Sequence, residues 1–214
     1  IGTFSGAGSG AEALVSSAAD VEAVVGSTAS ISTTGALLVS AKSDNDADAK
    51  SQAGSGGLVA LGASLPSAKV GGGTKAQSDA DVGSASSFTV TATSDNDAKA
   101  SADVVSIGIF SGGGANASAE VTDDADTDAI VGSAAQISIP GASVGITATS
   151  DNRATGTSSG VTVGGVAIST SSPTAKTFAD TSAKLLGSVG TTTPGVDPEG
   201  NPTTYGVAGA ASVS

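Results

Sequence analysis

Apolar and polar residues alternate one for one through three long stretches of this chain. In one, Phe88, Val90, Ala92, Ser94, Asn96, Ala98, Ala100 and Ala102 fall on one side, opposite Thr89, Thr91, Thr93, Asp95, Asp97 and Lys99. An earlier stretch sets Val39, Ala41, Ser43, Asn45, Ala47 and Ala49 against Ser40, Lys42, Asp44, Asp46, Asp48 and Lys50. A later one sets Ile146, Ala148, Ser150, Asn152 and Ala154 against Thr147, Thr149, Asp151, Arg153 and Thr155. Side chains alternate across a strand with a period of two, so these stretches predict strands with one buried face. A one-sided pattern excludes strands buried on both faces, and no segment sustains a helical period.

Each stretch contains Ser-Asp-Asn, at Ser43, Ser94 and Ser150, with spacings of 51 and 56 residues. A second mark, Val-Gly-Ser, recurs at Val25, Val82 and Val131, with a variant at Leu186-Gly187-Ser188, at spacings of 57, 49 and 55. A third is an apolar-Gly pair at Leu61-Gly62, Ile107-Gly108 and Val163-Gly164. Marks recurring in one order at one period define a repeat protein. The fold class expected is all-β, a parallel β-helix (β-solenoid) built from repeats of about 49–57 residues, each making two or three coils. The division is a solenoid over 1–188, with a partial repeat 1–24 and repeats 25–81, 82–130 and 131–185. An irregular Gly/Pro-rich segment, 189–214, then leads into a further partial repeat or end contact.

Ser43, Asn45, Ser94, Asn96, Ser150 and Asn152 occupy matching inner positions and are expected to form a structural ladder. Because Asn bonds its own backbone and tolerates left-handed angles, Ser-Asp-Asn reads as a corner between two strands. The alternative is one long strand of about 50 Å, well beyond the usual length.

Composition narrows the core. Hydrophobic residues make up 38% of the chain, but aromatics only 2%, and most of the apolar share is Ala and Val. Such a core relies on close packing and backbone hydrogen bonding rather than large anchors. Sustained alternation argues against disorder, despite 31 Gly and a net charge of −12. There is no Cys, His, Met or Trp, which removes thiolate chemistry, Cys zinc sites and the commonest general base. Eight basic residues against 20 acidic ones argue against nucleic acid and anionic membranes as partners. Ile1 to Gly6 matches Ile107 to Gly112, so the chain opens mid-repeat and reads as a processed chain or a segment of a longer one.

Within this frame a resemblance emerges. Val131 to Ala154 and Gly56 to Ala68 carry Val-Gly-Ser-x-Ala-x-Ile, Ala-x-Ser-x-Asn and Gly-Gly-Leu-Val-Ala-Leu-Gly-Ala patterns. These resemble the Ala/Gly-rich repeats of giant bacterial filamentous-haemagglutinin-like (filamentous adhesin) surface proteins, over roughly residues 1 to 188. The resemblance implies a secreted, rod-like stalk at the bacterial surface, with adhesive or cell-contact functions. Arg153 and Thr155 depart from the other copies, and the tail after Ser188 departs altogether.

Candidate chemistry is sparse. Asp44, Asp46 and Asp48, and likewise Asp124, Asp126 and Asp128, form D-x-D-x-D runs that suit Ca²⁺. The EF-hand Gly and Glu are missing, and so is the calcium β-roll nonapeptide, so a solvated acidic face is the plainer account. Thr89, Thr91, Thr93, Thr147 and Thr149 would stack outward as an ice-binding face does, but Ser40 and Lys42 break that column. Gly71 to Lys75 and Gly112 to Gly114 lack phosphate-loop spacing and read as turns or packing points. Acidic pairs on a β-helix admit polysaccharide binding or cleavage, although sugar clefts favour aromatic platforms that are scarce here. The expected function is structural and adhesive, without catalysis. The expected partners are copies of the chain, further repeats of it, and cell-surface or matrix glycans.

Overall fold

The computed structural model describes residues 2–196, 202–207 and 211–213. Among them there is no helix. Strands wind into a parallel β-solenoid, and successive coils pair in register.

The first coil contributes β1 (Gly2–Ser9), β2 (Glu12–Val15), β3 (Val21–Val25) and β4 (Ser30–Ser32). The second contributes β5 (Ala36–Ser64), β6 (Ser67–Val70), β7 (Thr74–Ser78) and β8 (Asp81–Ser84). The third contributes β9 (Ser87–Ala115), β10 (Ser118–Val121), β11 (Thr127–Val131) and β12 (Gln136–Ile137). The fourth contributes β13 (Ser143–Val163), β14 (Val166–Ser171), β15 (Thr174–Thr177), β16 (Thr181–Leu185) and β17 (Ser188–Val189). Beyond it, β18 (Thr191–Val196) pairs antiparallel with β19 (Pro202–Val207), and β20 (Ala211–Val213) stacks on Val144 to Ile146. Part of the segment read as irregular is therefore a Thr-rich paired hairpin.

One repeat makes one coil, not two or three. Ala36 pairs with Ser87 and Ser87 with Ser143, so each mark returns one coil later. Each long strand runs out along a front wall and folds back at a tip near Leu58 and Ile109, and its last residues and the three short strands bring the chain back along a rear wall. Ser43 lies opposite Thr74, and Ser51 opposite Ser64. The cross-section is thus flat: about 60 Å wide, from some 19 residues at about 3.3 Å each, and about 10 Å thick. Small interior residues allow the walls to approach this closely.

Ser-Asp-Asn is not a corner. It sits in the middle of β5, β9 and β13, and among the described residues no non-Gly residue has positive φ. The long-strand alternative is the correct one. A 29-residue strand is sustained because each residue is held by a neighbouring coil, an arrangement isolated strands lack. Two other alignments also shift. Val25 and Val131 both pair with Ser78, whereas Val82 pairs with Ile31 and Ile137. Val-Gly-Ser at Val82 is therefore a chance match, and the cut there falls one strand later than those at Val25 and Val131. Likewise Val163 stacks on Ile107 and then Gly56, while Leu61 belongs with Gly112.

Inner residues of the long strands are buried as the alternation predicts. They form two clusters: one around Val39, Phe88, Val90, Val131 and Ile146, the other around Ala47, Ala98, Val70, Val104 and Val121.

Candidate functional site: the inner polar partition and the outer faces

What separates the two apolar clusters is a polar wall built from the Ser-Asp-Asn repeats. Asn45, Asn96 and Asn152 stack in register. Asn45 Nδ2 donates to Asn96 Oδ1 at 2.8 Å, and Asn96 Nδ2 donates to Asn152 Oδ1 at 2.8 Å. Asn96 is fully buried and also reaches Ser94 Oγ at 3.3 Å and the Ala125 carbonyl at 3.5 Å. A buried amide in an Ala-rich interior needs such partners, because an unmet one costs about 1–3 kcal/mol.

The serines of the repeat do not bond along the ladder; they cross the interior. Ser43 Oγ meets Thr74 Oγ1 at 2.5 Å, Ser94 meets Thr127 at 2.6 Å, and Ser150 meets Thr181 at 2.5 Å. Thr74, Thr127 and Thr181 are themselves in register in β7, β11 and β16. The same tie thus joins front and rear walls in three coils. Sequence reasoning did not find these threonines. Their one available signal was a Thr recurring 31 to 33 residues after each Ser of the motif.

A second crossing pair lies nearer the far edge. Ser64 Oγ donates to Ser51, and Ser171 Oγ donates to the Ser158 carbonyl at 3.0 Å. In the third coil the matching residues are Ala102 and Ala115, both apolar and both buried. The pair changes together, as two groups in contact must.

On the outer face of the long strands, Asp44, Asp95 and Asp151 stack one above another in adjacent coils. Asp46 stacks on Asp97 and then Arg153, and Asp48 on Lys99 and then Thr155. Charge alternates where it is densest: Lys99 Nζ lies 2.5 Å from Asp97, Arg153 lies 3.6 Å from Asp97 and 3.2 Å from Asp151, and Lys50 lies 2.9 Å from Asp48. The hydrogen bond that Lys99 donates to Asp97 is the main cause of its raised pKa, assisted by the negative potential of Asp46, Asp97 and Asp48 and opposed by partial desolvation. The calcium candidates do not converge: no group of three such ligands exists among the described residues. Asp126 instead accepts from the Asp180 backbone N–H at 2.7 Å, and Asp128 accepts from Ser182. Asp44, Asp46, Asp48 and Asp124 face solvent.

The outward threonines line up as Thr91 with Thr147 and Thr93 with Thr149, but Ser40 and Lys42 occupy the same columns in the second coil. Gly112 to Gly114 lie inside β9, not in a turn. Gly71 to Gly73 do form a corner, where a Cβ on Gly72 would come 2.6 Å from the Ala19 carbonyl oxygen.

No family model, curated protein or solved structure matches this chain. Its chemistry therefore rests on its own geometry: ladders, crossing ties and surface columns.

One edge of the slab differs from the rest. Past Ser51 and Ser64 the coil narrows to a thin flap. Its outer surfaces carry Ile107 and Val163 on the front, Leu58 and Ile109 at the tip, and Leu61, Phe110, Val166 and Ile168 on the rear, all about half exposed or more. Glycines permit this thinness: a Cβ on Gly62 of the rear wall would come 2.8 Å from Val104 Cγ1 and Ser106 Oγ of the front wall.

Proposed function

We propose that this chain is a structural and adhesive segment of an extracellular bacterial fibre or surface filament, with no catalytic role. The observation that supports this reading most is the in-register stacking of like residues through the coils, Asn on Asn and Thr on Thr. Every coil offers the next a matching backbone template, and among the described residues β2 and β15 are the outermost strands of their sheet. Open strand edges pair with further strands of the same kind. The working property is mechanical: a stiff stack that holds repeated surface columns at a fixed spacing. The acidic outer face keeps such stacks soluble and gives adhesion a polar, regularly spaced surface.

Fibre diffraction and negative-stain microscopy test the reading. The expected result is elongated particles that lengthen with concentration and show a meridional spacing of about 4.8 Å. Compact particles of constant size at all concentrations overturn it. The adhesive part is tested by binding of fluorescent protein to glycan-coated surfaces, expected to be saturable. Depolymerisation of a polysaccharide that Asp95→Asn abolishes would replace this reading with an enzymatic one.

A further inference from the structure

The thin edge gathers Leu58, Leu61, Ile107, Ile109, Phe110 and Ile168 among the exposed large apolar side chains, and it is free of charge. No charged residue occurs between Gly2 and Glu12, between Lys50 and Lys69, between Asp103 and Glu120, or between Arg153 and Lys176, the four segments that build it. The chain as a whole carries −12. On the rear surface of this edge, Phe4, Val59, Phe110 and Val166 form one axial column, and Gly6, Leu61, Gly112 and Ile168 form the next. Gly112 and Gly114 therefore floor a groove walled by Leu61 on one coil and Ile168 on another, with Phe110 beside it. Leu61, Phe110, Val166 and Ile168 are 59%, 54%, 51% and 66% exposed.

We propose that a second copy of this chain docks on this edge, side by side and rear surface to rear surface, forming a lateral dimer. Two features select a second copy. The first is electrostatic. Two bodies each carrying −12 repel wherever their acidic faces meet; the two narrow edges of the slab are both free of charge, and among the described residues it is this one that gathers exposed large apolar side chains on every coil. The second is area and shape. The half-exposed large apolar side chains of the edge expose on the order of 500 Å², the size of the largest patch a monomer usually leaves open and close to the apolar part of one partner's share of a standard interface. Leu61 and Ile168 project on either side of a glycine-floored groove, so the surface carries both knob and hole, as a two-fold contact requires. This contact is perpendicular to the coil stacking, so it is independent of axial growth.

Light scattering and sedimentation of the whole chain, with a double Phe110→Asp, Ile168→Asp variant, test it. The wild type is expected to reach twice its 19.7 kDa mass at concentrations too low for axial growth, and twice the mass per unit length of a single stack where axial growth occurs. The variant is expected to dissociate at least about tenfold more readily, and at concentrations where both proteins are dissociated to melt as the wild type does, because both positions are exposed. The chain has no cysteine, so a single Leu61→Cys gives one defined thiol. A short bis-maleimide should then link two copies, whereas Thr91→Cys on the front wall should not be linked. A wild type that stays monomeric, a dimer that survives the double substitution, or linking equal at both cysteines overturns the proposal. Partition of monomeric wild type onto neutral phosphatidylcholine vesicles would reassign the edge to lipid.

Discussion

Asn96 holds its two stacked neighbours at once, so its loss leaves unmet groups on both sides. Asn96→Ala is expected to destabilise the fold by about 2–3 kcal/mol in urea denaturation, through the exposed amides of Asn45 and Asn152 rather than through its own volume. Phe88 is the largest fully buried side chain and stacks between Leu37 and Val144. Phe88→Ala should cost about 3–5 kcal/mol, since an Ala-rich surround has little freedom to collapse into the space. Lys99 is a surface group with a raised pKa, so its pairing with Asp97 is fully present below its ordinary value of 10.5 and is lost as pH rises through the higher folded value. The melting-temperature difference between wild type and Lys99→Gln should therefore be constant at neutral pH and vanish in strong alkali. A difference that grows with pH would contradict the assignment.

At the scale of elements, Ser51 and Ser64 act as a unit that the third coil replaces with Ala102 and Ala115. Ser51→Ala and Ser64→Ala are each expected to destabilise by about 1 kcal/mol, and the double variant by clearly less than the sum, because neither member of the crossing pair then strands the other and only Ser9, which accepts from Ser51, loses a partner. A denaturation cycle showing simple additivity would remove the tie. The alternation of β5, β9 and β13 was legible because burial on one face dictates it residue by residue, and the Asn ladder followed from shared parity. The crossing threonines and the true coil length were not. They depend on which short strand faces which long one, and that is set by loop lengths rather than by pattern. Ser-Asp-Asn misled for a related reason: its local turn preference gives way to hydrogen bonds from adjacent coils, which a lone strand would not have.

At the scale of the molecule, charge and shape govern assembly. With a net charge of −12, self-association should strengthen as salt rises and screens repulsion. Scattering mass measured at low and high ionic strength checks this, and a mass that falls with salt would contradict it. The cross-section has a further consequence. A body about 60 Å wide and 10 Å thick is a tape, and resistance to flexing scales with the square of that ratio between its two directions, about 30-fold. The Ser–Thr ties act as the web of a girder, keeping the two walls from sliding past each other. A filament of such coils would curl readily over its broad side and scarcely at all over its narrow one, so its path across a surface would be set by which side lies down.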